Sequence, residues 1–81
     1  MESKKIVIGS KEFGVRELLA IEIDEINFDD KKEAIKKQVI LSTGISEEDY
    51  KKLTVKERLA IINVINELNF QDFQKAEAQI N

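Results

Sequence analysis

The chain contains no cysteine, no histidine, no proline and no tryptophan. Without cysteine there is no disulfide, no thiolate nucleophile and no sulfur-ligated metal. Without histidine the commonest general base, the commonest zinc ligand and every imidazole-dependent triad are missing. The absence of proline removes imposed kinks and the usual composition of a linker. Aromatic residues make up only 6% of the chain, too few for a platform that stacks single-stranded nucleic acid. No stretch approaches the ~18 apolar residues of a membrane span. The apolar run after Lys4 and Lys5 is broken at once by Gly9, Ser10, Lys11 and Glu12, so no secretory signal is expected and the protein is placed in a cytoplasm.

What is present is the composition of one small folded domain. Of 81 residues, 42% are hydrophobic and 36% charged, and 13 basic against 16 acidic side chains give a net charge of −3. A chain of this size buries only roughly 60–65% of its unfolded surface, so its stability depends on good helix packing or on a partner. The acidic groups carry no visible catalytic pattern. Asp24-Glu25, Asp29-Asp30 and Glu47-Glu48-Asp49 fall at element ends, where capping accounts for them. The serines (Ser3, Ser10, Ser42, Ser46) have no imidazole to activate them, and no calcium-loop or phosphate-loop signature occurs. A non-enzymatic binding protein without cofactor or metal is therefore expected.

Along the chain, residues 1–15 read as a β-hairpin: the β-branched run Lys5–Ile8, a Gly9-Ser10 turn, then Phe13 and Val15 alternating with polar residues. Such a hairpin is marginal alone and must lie on the helices as a lid. Val15, Leu18, Leu19, Ile23 and Ile26 fit helical spacing, which predicts a short helix over 16–23, although Ile21-Glu22-Ile23-Asp24 alternates like a strand. A third element opens at the N-cap candidates Asp29 and Asp30, with Glu33 placed for a capping box, and stops at Gly44. Its lysines (Lys31, Lys32, Lys36, Lys37) interleave with acids and read as a solvated face rather than a phosphate patch. Ser46 caps a single turn, and Thr54-Val55-Lys56-Glu57 is a full capping box that opens the longest helix, from Val55 to about Phe70 and on toward Ala78. The fold class expected is mainly α with an α+β architecture: a hairpin at 1–15, a core of three to four helices at 16–70, and a polar, frayed tail at 71–81.

The longest helix is apolar over most of its circumference. Lys56, Asn63, Asn66 and Glu67 gather on one narrow stripe, while nearly everything else from Leu59 to Leu68 is apolar: Leu59, Ala60, Ile61, Ile62, Val64, Ile65 and Leu68. A surface helix needs an apolar arc of only a little over ~100°. One face, Val55-Leu59-Ile62, is expected to pack on the core. The other, Ile61-Val64-Ile65-Leu68, continued by Phe70 and Phe73, is expected to meet another chain, as a partner or as a homo-oligomer, unless the hairpin and the third element cover the helix from both sides.

The order of features from Phe13 onward is similar to that of one family. Val15-Arg16-Glu17-Leu18, a variable acidic segment, Leu41-Ser42-Thr43-Gly44-Ile45-Ser46-Glu47-Glu48, Leu53-Thr54-Val55-Lys56-Glu57 and Ile65-Asn66-Glu67-Leu68-Asn69 resemble the small tail assembly chaperones of long-tailed bacteriophages and prophages. The resemblance spans roughly residues 5–69, and the chain's length suits that family. It implies a late viral protein of the host cytoplasm that binds the tape measure protein, assists polymerisation of the tail tube protein around it, and is absent from the finished virion. It also implies a longer form made by ribosomal frameshifting. No binding residues carry over, because the family's are not set by a motif. Two other readings compete. Residues 34–53 give a helix, a Thr-Gly-Ile-Ser turn and a second helix, as in a helix-turn-helix regulator, but the second helix would begin with three acids where phosphate must be met. A minor structural subunit of the tail or head–tail joint would need similar oligomer-forming surfaces.

Overall fold

In a computed structural model, which describes residues 2–70, an antiparallel hairpin is followed by four helices in an α+β arrangement. The strands are β1 (Ser3–Ile8) and β2 (Lys11–Arg16), and the helices are α1 (Ala20–Asp24), α2 (Lys31–Thr43), α3 (Glu47–Lys51) and α4 (Val55–Asn69). The expected tail, with Phe73, lies outside the described residues.

The hairpin turns where Gly9 takes φ 63°, a conformation that costs a residue with a Cβ but not glycine. Its register pairs Ile6 with Phe13 and Lys4 with Val15, which sets these four on one face. Phe13 and Val15 are buried there and Ile6 is partly buried, so the hairpin lies on the helices as expected. β2 packs against α2 and α4, and β1 against α4. The predicted helix over 16–23 is displaced. β2 extends through Arg16, and α1 begins only at Ala20. The Val15–Leu18 spacing that looked helical arises because both residues are buried, Val15 from the strand and Leu18 from the connection after it.

The capping signals place the other helices. Asp30 Oδ1 accepts from the Glu33 amide at the start of α2, and Ser46 Oγ accepts from the Asp49 amide at the start of α3. Gly44, at φ 74°, closes α2 by donating to the Ile40 carbonyl. At the start of α4 the capping box is complete: Thr54 Oγ1 accepts from the Glu57 amide at 3.1 Å, and Glu57 Oε1 accepts from the Thr54 amide at 2.8 Å.

The core joins Phe13, Val15, Leu18, Val39, Ile61, Val64 and Ile65. This corrects the expected orientation of α4. Ile61, Val64 and Ile65, read from the sequence as a partner-binding face, are buried against the hairpin and α2, and Leu68 packs partly against the same cluster. Val55 and Leu59, read as core, are 66% and 55% exposed. The sequence itself held the reason. The polar stripe Lys56-Asn63-Asn66-Glu67 faces solvent, and the direction diametrically opposite it at 100° per residue is that of Ile61, Ile65 and Leu68.

Candidate functional site: the outward face of α4

With its inner side used by the core, α4 still presents a second apolar line. Val55, Leu59 and Ile62 follow one another at spacings of four and three residues, so they stand one above another on a single face. Val55 and Leu59 are exposed, and Ile62 is partly buried at the margin of the core. Asn66 continues the line, and Phe70, the half-buried C-cap residue whose amide donates to the Asn66 carbonyl, ends it. Among the described residues expected to bind a partner, Phe70 alone lies beside this face. Ile61, Val64, Ile65 and Leu68 are turned away from it.

Charge is confined to the ends of the face. Between Leu59 and Asn66 there is no charged residue, in a chain that is 36% charged. The exposed Lys56 and the half-buried Arg58 stand at one end and the exposed Glu67 at the other. Glu67 Oε2 accepts from Lys4 Nζ at 2.8 Å, and this hydrogen bond with the attraction of the carboxylate raises the lysine above its ordinary pKa. At the other end Glu57 points inward, with only 7% of its side chain exposed. It is held by the Thr54 amide and by Lys11 at 3.3 Å, and these keep its carboxyl below the usual range against the cost of its burial. The hairpin is therefore pinned along α4 at both ends.

The clamp at the start of α1 has no signature in the sequence. Both terminal guanidinium nitrogens of Arg16 donate to the Glu22 carboxylate, at 2.9 and 2.7 Å, while Glu22 also accepts from the Leu19 amide. The guanidinium first, and then that amide, hold Glu22 down to about 2. Because the pair links a strand end to a helix start, it follows neither the strand nor the helix period. The segment it fixes leaves Leu19, Ile21 and Phe28 exposed. Between α1 and α2 runs an open cleft of about 260 Å³, floored by Ile26, Ile40 and Leu41. Of the carboxylates at its rim, Glu22 is occupied by Arg16 and Glu47 by Lys36. Among the described residues no group of three or more acidic side chains is placed to hold a metal, and no helix is long and apolar enough to cross a membrane.

The arrangement is an apolar stripe on a helix, flanked by the amides of Asn63 and Asn66, with Lys56 and Arg58 at one end and Glu67 at the other. Comparison with protein families, with curated proteins and with solved structures finds no match to this chain.

Proposed function

We propose that the protein is a non-catalytic tail assembly chaperone of a long-tailed phage or prophage, acting in the host cytoplasm, which holds the tape measure protein and assists assembly of the tail tube. The ordered series of segments from Val15 to Asn69 motivates the choice of family. The observation that carries a binding role is the exposed Val55–Leu59 stripe on a helix whose opposite side is already buried. A tape measure protein is a long, largely helical and aggregation-prone client, and an amphipathic helix laid on an apolar stripe is the ordinary way to shield such a chain. The high surface charge of the rest of the domain keeps it in solution before the client arrives. For the helix-turn-helix alternative, Glu47, Glu48 and Asp49 are exposed at the start of α3 and would face the phosphates, which weighs against duplex binding.

The test is co-expression with a tape measure protein from the same phage or prophage, the client carrying an affinity tag. The chaperone is expected to be retained and to increase the soluble client. Leu59→Asn is expected to abolish retention while the circular dichroism and cooperative unfolding of the chain stay unchanged. A wild-type protein that neither binds nor solubilises the client would overturn the reading.

A further inference from the structure

Lys56 and Glu67, at the two ends of the α4 face, lie on the same flank of the helix, while Arg58 stands on the other flank beside Val55 and Ile62. Eleven residues at 100° each bring Glu67 back to within about 20° of Lys56 around the axis, at a separation of about 16 Å along it. The uncharged stretch Leu59–Asn66 lies between them. A face with a cation at one end, an anion at the other and an apolar middle is complementary to itself under a single operation, a two-fold axis perpendicular to the helix. That rotation preserves the flank and reverses the helix direction. It sets Lys56 of each copy against Glu67 of the other, at both ends of the contact, with Leu59 and Ile62 of the two copies between them. A parallel pairing would instead stack lysine on lysine and glutamate on glutamate. The helix ends add to the effect, since antiparallel dipoles attract. Glu67 can serve this second cation: Lys4 occupies Oε2, and Oε1 has no partner among the described residues.

We infer that the outward face of α4 is the seat of an isologous, antiparallel dimer of this chain, closed at each end by a Lys56–Glu67 ion pair between copies. The pairing covers Val55, Leu59 and Ile62 in both copies at once, and a client reaching the same stripe must displace it. The inference concerns the chain alone. Its test needs no client, so its failure and the failure of the chaperone reading are separate results.

The experiment is sedimentation of the purified chain from micromolar to millimolar concentration at low salt. The wild type is expected to form dimers. Lys56→Glu and Glu67→Lys are each expected to weaken the dimer about tenfold or more, because each homodimer then faces two like-charged contacts. Mixing the two variants is expected to restore it, since both contacts in the mixed dimer are again of opposite charge. Leu59→Asn is expected to leave a folded monomer. As Glu67→Lys also places a cation beside Lys4, a second measurement uses the wild type only: carbodiimide coupling of a mixture of light and heavy-isotope chains. A Lys56–Glu67 cross-link of mixed isotope mass is expected, and one chain cannot make it across about 16 Å. A wild type that stays monomeric at millimolar concentration overturns the inference. So does a dimer indifferent to Leu59→Asn, or one whose cross-links omit Lys56–Glu67.

Discussion

Ser42 sits 97% out of solvent on α2, at 3% exposure, yet its Oγ has no hydrogen-bond partner among the described residues. Its neighbour Thr43 donates back to the Val39 carbonyl at 2.7 Å, the usual way a helical hydroxyl is satisfied. A buried hydroxyl left without a partner carries a desolvation cost that no bond offsets. Ser42→Ala is therefore expected to be neutral or to stabilise by up to about 1 kcal/mol, whereas most buried substitutions destabilise. Urea denaturation of the two proteins measures it, and a loss above about 1 kcal/mol would show that the hydroxyl has a partner after all. Thr54 presents the opposite case, because its hydroxyl holds the Glu57 amide at 3.1 Å. Thr54→Ala is expected to cost about 1 kcal/mol in the same assay. Residues of this second kind are legible in the sequence, since a cap is a local pattern of three or four positions. The isolation of Ser42 is not, because it depends on what the rest of the fold brings to it.

The elements divide along the same line. The hairpin turn at Gly9, the starts of α2, α3 and α4 and the stop at Gly44 were all readable, because each is set by one residue's conformational range or one side chain's reach. The start of α1 was misplaced, because tertiary burial of Val15 and Leu18 imitated a helical period across a strand end. The rotation of α4 was read in reverse for a different reason. An almost wholly apolar helix offers two candidate inner faces, Val55–Leu59–Ile62 and Ile61–Val64–Ile65–Leu68, and the second is the one opposite the polar stripe. Burial of Ile61, Val64 and Ile65 settles it, and Glu57 on that side turns inward with them to meet Lys11. The candidate site was thus legible as an unpartnered apolar face of this helix but was assigned to the wrong residues. The correction reverses an expected mutational order. Ile61→Ala, at a fully buried position, is expected to cost about 2–5 kcal/mol, and Leu59→Ala less than about 1 kcal/mol. Equal losses in chemical denaturation would mean that α4 is not turned as described.

Among the described residues, ion pairs tie together elements that the apolar core also joins. Lys4–Glu67 and Lys11–Glu57 join the hairpin to α4, Arg16–Glu22 joins the end of β2 to α1, and Lys36–Glu47 joins α2 to α3. Their titration sets the stability profile of the protein against pH. Glu22 falls from 4.5 to about 2 on folding, and Glu57 is also lowered. A carboxylate with a depressed folded value contributes stability that is complete above its unfolded pKa and is lost as pH falls through the folded one. The acid limb should therefore begin below about pH 4.5 and extend to about 2. Lys4 is shifted the other way, raised above 10.5, so its contribution is complete below that value and is lost only as pH rises beyond it. Between these limbs nothing is expected to change, because the chain has no histidine to titrate near neutrality. Thermal unfolding followed from pH 2 to 11 should show a plateau bounded by these two limbs. Glu22→Gln should lower the plateau and make the acid limb shallower, since the variant no longer has that proton to take up. An inflection near pH 6 to 7, or an acid limb identical in Glu22→Gln, would show that these pairs do not govern how the hairpin and helices hold together.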